Sequence, residues 1–135
     1  MMNFTNLIEF NVLGDERGSL VALEEMSDIP FVIKRVYYIF GTKENVSRGF
    51  HAHKELEQVA VCVRGSCQMI MDDGKKRERI LLNSPNKGIV IGTMQWHEMH
   101  EFSEDCILLV LANDIYRESD YIRDYEEFLK CTKMK

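Results

Sequence analysis

Residues 58–74 have the sequence QVAVCVRGSCQMIMDDG, in which two short apolar runs are separated by Arg64-Gly65 and followed by Asp72-Asp73-Gly74. Short runs of apolar and β-branched residues, bounded by turns that contain glycine, are typical of antiparallel strands joined as hairpins. We therefore expect strands at 58–63 and 66–71, each followed by a tight turn. This segment favours a β-sheet protein.

Similar runs recur along most of the chain and are separated by turn residues in the same way. The further strands that they predict cover residues 7–12, 19–25, 31–40, 79–82, 88–91 and 106–112. Short strands at regular spacing indicate an all-β sandwich or barrel. A length of 135 residues suits one domain with one core, so we expect a single domain over 1–135.

The C-terminal region has a different pattern. From Asp120 to Lys130 the apolar residues fall at positions 121, 122, 125, 128 and 129, which is the spacing of one face of an α-helix. Ser119 or Asp120 can cap the start of this helix, and Lys130 and Lys133 suit its C-terminal end. We expect a short helix that covers an edge or an end of the β-domain.

The composition excludes several classes of protein. Hydrophobic residues make up 45% of the chain and charged residues 29%, as in ordinary globular proteins, so disorder and collagen-like structure are excluded. The net charge of −5 argues against general binding to nucleic acid, which needs a basic surface. No apolar run approaches the ~20 residues of a membrane span, and the N-terminus lacks the pattern of a secretory signal.

The positions of the four cysteines indicate the cellular compartment of the protein. Cys62, Cys67, Cys106 and Cys131 lie in apolar contexts without the spacing of a redox or zinc motif. Such residues are typically free thiols in a reducing environment. We therefore expect a cytoplasmic protein without a membrane partner.

The segment most suggestive of chemistry is SRGFHAHKELEQ at 47–58, which contains His51 and His53. Residues two apart in a strand project to the same face, so the two imidazoles should lie side by side. Histidine accepts and donates protons near neutral pH and is also a common metal ligand. A second cluster at 88–100 contains His97. The residues thus allow either acid–base chemistry or a metal site.

The two histidine clusters resemble the paired motifs of the cupin superfamily, whose members are small jelly-roll β-barrels. The first cluster has the pattern His-x-His-x3-Glu-x7-Gly, which ends at Gly65. In metal-binding cupins the matching ligand positions would be His51, His53, Glu57 and His97. The chain departs from the pattern at Asn45, where the first motif has a glycine, and at 94–96, where Met-Gln-Trp replaces Pro-x-Gly.

A more specific pattern extends over most of the chain. It consists of DERGSLVALE at 15–24, IPFVIKRVYYI at 29–39, RGFHAHK at 48–54, WHEM at 96–99, LVLA at 109–112 and DYIRDYEEF at 120–128. This set resembles the sugar 3,4-ketoisomerase family (WxcM-like, cupin fold). The resemblance implies an enzyme that acts on dTDP-4-keto-6-deoxyglucose and makes the corresponding 3-keto sugar. It also implies a homodimer and a reaction that needs no metal or other cofactor.

Under this resemblance, His51 and His53 are the expected catalytic residues. Moving a ketone from C4 to C3 needs a base that removes the C3 proton, a proton transfer between two oxygens, and an acid that protonates C4. Two neighbouring imidazoles suit all three steps near neutral pH. We assign the carbon-bound proton to His51 and the oxygen-bound protons to His53, and the reverse order stays open.

Five further residues are candidates for substrate binding: Arg48, Tyr37, Arg17, His97 and Arg35. Arg48 lies an odd number of residues from His51, so it reaches the same pocket only if the strand bends at Gly49. A guanidinium group suits a diphosphate or an enediolate oxygen. The hydroxyl of Tyr37 suits a sugar oxygen, and its ring suits the thymine base.

Arg17 and His97 are also candidates for setting the configuration at C4. Members of the family that the chain resembles give either an equatorial or an axial C4 hydroxyl. Each of the two residues adjoins a matching segment and is polar and large enough to reorient a bound hexose. We predict the axial, galacto-like product.

Three alternative functions fit parts of the pattern. The chain could be a nucleotide-sugar epimerase with a histidine base and a tyrosine acid, or a metal-dependent cupin such as a dioxygenase. It could also be a non-catalytic cupin that binds a sugar nucleotide within a larger assembly. The paired histidines favour the isomerase, because the epimerase scheme needs only one.

Overall fold

The computed structural model describes residues 6–133, which form two five-stranded antiparallel sheets, a two-stranded ribbon and a short α-helix. In chain order the elements are β1 (Asn6–Glu9), β2 (Leu13–Asp15), β3 (Gly18–Leu20), β4 (Arg35–Ile39), β5 (Arg48–His53), β6 (Gln58–Arg64), β7 (Cys67–Asp72), β8 (Arg77–Leu82), β9 (Lys87–Ile91), β10 (Trp96–His100), β11 (Ile107–Ala112), β12 (Tyr121–Ile122) and α1 (Tyr125–Lys133). The first sheet has the order β1-β9-β6-β11-β4 and the second the order β12-β5-β10-β7-β8, while β2 pairs with β3. Both sheets join strands that are distant in sequence.

The two sheets enclose the main hydrophobic core. Alternate residues along the strands point into it, such as Met69 and Met71 of β7 and Leu108 of β11. Three free thiols lie in the same core: Cys62, Cys67 and Cys106. This arrangement confirms the prediction of an all-β, cupin-type jelly roll with a short C-terminal helix.

Strands β7 and β8 form the second predicted hairpin. The first predicted hairpin is wrong, because β6 and β7 lie in different sheets and the turn at Gly65 carries the chain from one sheet to the other. Gly65, between β6 and β7, has φ 72°, and Gly74, between β7 and β8, has φ 94°. Both values lie in the left-handed region, which glycine adopts at little cost. At Gly65 a Cβ would also lie 2.3 Å from the hydroxyl oxygen of Ser103, so the loop could not close in the same way around a larger residue.

Three predicted strands are shorter in the structure. The prediction of 7–12 ends at Glu9, that of 19–25 reduces to β3, and that of 31–40 reduces to β4. The apolar residues between β3 and β4 instead pack against the outer face of the first sheet, where Ile29 and Phe31 are buried against Val59 and Val61. These alternating apolar residues cover a sheet and do not pair as strands within one. The prediction of the longer strands was wrong for this reason.

The C-terminal helix begins later than predicted. Tyr121 and Ile122 form β12, which pairs with β5, and α1 starts at Tyr125. The side chain of Asp124 accepts a hydrogen bond from the backbone N–H of Glu126, so neither Ser119 nor Asp120 is the cap. Phe128 of α1 is buried in a small cluster under the second sheet. Within residues 6–133, no helix is long and apolar enough to cross a membrane.

Candidate active site

Strands β5 and β10 lie side by side in the second sheet and bring three histidines together. His51 and His53 of β5 are neighbours, as their spacing predicts, and His51 lies opposite His97 of β10 in the ladder. The ring centroids are 4.6 Å apart for His51 and His97, 5.0 Å for His51 and His53, and 5.6 Å for His53 and His97. One nitrogen from each ring lies within 4.8 Å of the other two.

Burial makes these imidazoles hard to protonate. His53 and His97 are 1% and 0% exposed, and His51 is half-buried. Desolvation lowers the pKa of His51 and of His53 to about 4 and that of His97 to about 3. The neighbouring histidine lowers each pKa further, because two positive charges would repel. At neutral pH the cluster therefore consists of uncharged rings, each of which has one nitrogen with a free lone pair.

His53 lies between two polar side chains that the sequence did not indicate as site residues. On one side, Gln58 Nε2 lies 3.4 Å from His53 Nε2, and Gln58 Oε1 accepts a 2.7 Å hydrogen bond from the hydroxyl of Tyr37. On the other side, Asp120 Oδ2 lies 3.5 Å from His53 Nδ1. Burial raises the pKa of Tyr37 to about 12, so its hydroxyl keeps its proton.

A bend in β5 turns Arg48 towards the histidines. Gly49 has φ 92°, and the register between β5 and β10 shifts between His97 and Glu98. Such a bulge re-aims the side chains on either side of it. Arg48 consequently lines the same cavity as His51, as the predicted bend at Gly49 requires.

This cavity has a volume of about 270 Å³ and opens beside the histidine cluster. Its charged and aromatic lining consists of Arg35, Tyr37, Arg48, His51, Tyr116 and Tyr121. The guanidinium of Arg35 lies 5.1 Å from the ring centroid of Tyr37, and its buried Nε has no hydrogen-bond partner among residues 6–133. A pocket with two cations and several aromatic rings beside neutral bases suits an anionic ligand.

Arg17 does not belong to this cavity. It lies in the turn between β2 and β3, its side chain is 87% exposed, and its guanidinium pairs with Asp15 at 2.6 Å. The structure thus brings together all the candidate residues except Arg17: His51, His53, His97, Arg35, Tyr37 and Arg48.

Tyr121, Asp120, Gln58 and Tyr116 are site residues that sequence reasoning missed. The ring of Tyr121 lies 4.4 Å from that of His53, its partner in the ladder between β12 and β5. The helical spacing of the C-terminal region hides this strand, although Asp120 and Tyr121 open the segment DYIRDYEEF that carries part of the family resemblance. No spacing rule connects Gln58 or Tyr116 to the histidines.

The three histidines also have the donor atoms of a metal site. His51 Nδ1 and His97 Nε2 are buried without hydrogen-bond partners among the described residues. Glu57, the fourth ligand position of metal cupins, instead lies next to Asn113, whose Nδ2 donates to its carboxylate at 3.4 Å. The site therefore fits three-histidine coordination or metal-free acid–base chemistry, but not the four-ligand set.

Comparison with known proteins decides the family. The family model described as "FdtA: WxcM-like, C-terminal" matches residues 2–133. The chain belongs to this family. A curated relative from Aneurinibacillus thermoaerophilus, TDP-4-oxo-6-deoxy-alpha-D-glucose-3,4-oxoisomerase, is 58% identical over 124 residues, which is 92% of this chain and 89% of that protein.

Solved structures of 3,4-ketoisomerases share the fold of this family member. The enzyme from Helicobacter canadensis is 50% identical with a TM-score of 0.94, over 96% of this chain and 98% of that one. A histidine-to-asparagine variant of the enzyme QdtA from Thermoanaerobacterium thermosaccharolyticum, in complex with TDP-4-keto-6-deoxyglucose, is 41% identical with a TM-score of 0.95, over 100% and 98%. A further structure of QdtA, with TDP bound, carries tyrosine-to-arginine and arginine-to-histidine substitutions.

Proposed function

We propose that the chain is a sugar-nucleotide 3,4-ketoisomerase that converts TDP-4-keto-6-deoxyglucose into a TDP-3-keto-6-deoxyhexose. The observation that carries this proposal is the pair of neutral imidazoles, His51 and His53, next to a cavity with Arg35 and Arg48 in its lining. The 58% identical relative is named as this isomerase, and the QdtA variant was solved with this keto sugar.

The reaction transfers one carbon-bound proton from C3 to C4 and one oxygen-bound proton from O3 to O4. A C3 proton is acidic because the C4 ketone delocalises the charge left by its removal. His51, which lines the cavity, takes the C3 proton to give an enediol-like intermediate and returns a proton to C4. His53 handles the proton that passes between the oxygens. The products then contain the same atoms as the substrate, and neither histidine is changed.

The cationic part of the cavity accounts for the nucleotide diphosphate. Arg35 and Arg48 supply charge-assisted hydrogen bonds for phosphate oxygens, and the unpartnered Nε of Arg35 has a donor available for one of them. Tyr37 binds a sugar oxygen or packs against the thymine. These roles require no metal ion.

The functional unit in this proposal is a homodimer. Strand β1 is at one edge of the first sheet and β4 at the other, and an edge strand leaves backbone groups free to pair with a second chain. Exposed apolar side chains lie on and near these edges: Leu7, Val12, Leu13, Leu20, Val36, Tyr38 and Phe40. We place the interface at the apolar N-terminal segment 4–12, whose first two residues lie outside the described part of the chain. A cytoplasmic location is part of the same proposal, and the free thiols support it.

Incubation with TDP-4-keto-6-deoxyglucose in deuterated water tests the activity. We expect a 3-keto product that carries solvent deuterium at C4, and exchange of the remaining 4-keto substrate at C3 alone. An epimerase would exchange the carbons that flank the ketone without moving it, and a binding protein would leave the sugar unchanged. Either result would overturn the proposal.

A second measurement on the same protein tests whether turnover depends on a bound metal. Turnover is measured after dialysis against a chelator, with the residual metal content determined by mass spectrometry. We expect full turnover without bound metal. Loss of turnover that added metal restores would instead favour the metal-dependent cupin.

A further inference from the structure

The carboxylate of Asp120 is fixed in place by the main chain of the loop that follows β5. Its two oxygens accept hydrogen bonds from the backbone N–H groups of Glu55 at 2.8 Å and Leu56 at 3.1 Å. The backbone carbonyl of Asp120 also accepts a 3.0 Å hydrogen bond from the N–H of Lys54. Asp120 therefore cannot move away from β5 without loss of three hydrogen bonds.

In this position Asp120 faces one nitrogen of His53. Its Oδ2 lies 3.5 Å from Nδ1, which is longer than a hydrogen bond, and Nδ1 is buried without a hydrogen-bond partner among residues 6–133. The Asp120 side chain is 13% exposed and that of His53 is 1% exposed, so water screens the contact weakly. The carboxylate also raises the pKa of His53, against the larger lowering by burial.

The other nitrogen of His53 faces a donor. Gln58 is buried, its Oε1 accepts from the Tyr37 hydroxyl, and its Nε2 lies 3.4 Å from His53 Nε2. An amide nitrogen can only donate, and a carboxylate can only accept. A neutral imidazole with one N–H satisfies both neighbours in one tautomer alone, the one that carries its proton on Nδ1.

We propose that Asp120 is a positioning residue that holds His53 in the Nδ1–H tautomer and so leaves Nε2 as its proton acceptor. The proposal rests on the isomerase function for its consequence in turnover, but the tautomer itself does not depend on it. Both contacts of His53 are longer than a strong hydrogen bond, so a substrate hydroxyl can replace the Gln58 amide at Nε2 at little cost. Asp120 is kept beside Nδ1 by its three hydrogen bonds with the main chain. When Nε2 takes a proton, the carboxylate stabilises the resulting imidazolium.

Imidazole nitrogen shifts measure the tautomer directly. The chain has four histidines, so a nitrogen-15 spectrum of histidine-labelled protein has few signals, and single histidine variants assign them. In the wild-type protein we expect His53 to show a protonated Nδ1 and an unprotonated Nε2. His97 provides an internal reference, because its Nδ1 lies 3.1 Å from the carbonyl oxygen of Gln95 and must donate to it. A wild-type His53 protonated on Nε2 would overturn the proposal, whether or not any variant folds.

Asp120→Asn is the matching variant. Its amide can turn a donor towards His53 Nδ1, so we expect the His53 proton to shift to Nε2, with His97 unchanged, and turnover to fall by about 10²-fold or more. Asp124→Asn is the control, since the side chain of Asp124 accepts from the N–H of Glu126 at the start of α1, and this variant should leave both spectrum and turnover as in wild type. An unchanged His53 tautomer in folded Asp120→Asn would contradict the proposal.

A wild-type protein without isomerase turnover would instead overturn the proposed function and leave the tautomer assignment standing.

Discussion

The imidazoles of His51 and His97 lie opposite each other across the ladder between β5 and β10, 4.6 Å apart and nearly perpendicular at 86°. A charge on His51 lowers the pKa of His97, a charge on His97 lowers that of His53, and a charge on His53 lowers that of His51. A proton on one ring therefore opposes a second proton on either of the others. A cluster that holds one proton at a time suits a reaction that removes one proton from carbon and returns one.

Replacement of either catalytic candidate should abolish most of the activity. We expect His51→Asn and His53→Asn each to lower kcat by at least ~10²-fold, the scale for loss of a general acid–base. His100→Asn is the control, because His100 lies in β10 but contacts Ser47 and Glu98 rather than the cluster, and it should keep near-normal turnover. Circular dichroism checks that each variant is folded. Near-normal turnover of a folded His51 or His53 variant would contradict the role assigned to that residue.

The buried histidines also make stability depend on pH. The folded pKa of His53 is about 4 and that of His97 about 3, below the ~6.5 of an unfolded histidine, so the unfolded chain binds more protons in that range. The contribution of the two histidines to the free energy of unfolding is therefore complete above about pH 6.5 and is lost as the pH falls towards 4. As the pH falls from 6.5 to 5, protonation of one such histidine in the unfolded chain lowers the free energy of unfolding by about 2 kcal/mol.

Urea unfolding of wild type and His97→Gln at both pH values measures this decrease in stability, and the variant should show the smaller decrease. The same decrease in both proteins would argue against a neutral His97.

The parts of the site that sequence could predict depend on local pattern. The spacing of His51 and His53 places both on one face of a strand, and Gly49 marks the bend that Arg48 needs. Asp120 lies 65 residues from the N–H of Glu55 that holds it, and this contact exists only because β12 pairs with β5. The apolar spacing at Tyr121 fits a helix equally well, and only the pairing with a distant strand decides between the two.

Gly49→Ala should disturb the bend that directs Arg48 into the cavity. A Cβ at this position would lie 3.0 Å from the carbonyl oxygen of His97, and φ 92° is unfavourable for alanine. We expect TDP affinity, measured by calorimetry, to fall about 10-fold, the scale of one lost charge-assisted hydrogen bond. Gly41→Ala is the control, because Gly41 has φ 66° but open space around it. Equal loss of affinity in both variants would mean that backbone strain, rather than the position of Arg48, is responsible.

Sedimentation velocity at micromolar concentration tests the homodimer. We expect the wild-type protein to sediment as a dimer and Leu7→Lys, which places a charge on the exposed edge strand β1, to weaken it. Leu81→Lys is the control, since Leu81 is similarly exposed but lies on β8 of the other sheet. A wild-type monomer would contradict the dimer, and dissociation by Leu81→Lys alone would move the interface to the second sheet.

The configuration at C4 depends on which face of the planar intermediate receives the proton, and so on how the sugar lies against the histidines. His97 is fully buried against His51, so a change in the size of residue 97 shifts the ring that delivers the proton.

Arg17 lies outside the cavity of its own chain, and it can reach a bound sugar only if the dimer brings the β2–β3 turn of one chain over the cavity of the other. We expect the wild-type protein to give the axial C4 hydroxyl, and His97→Arg and Arg17→Tyr to shift the product towards the equatorial one. The coupling between H4 and H5 in the proton NMR spectrum of the product, recorded in ordinary water, distinguishes the two. An unchanged configuration in both single variants and in the double variant would place the determinant elsewhere in the cavity.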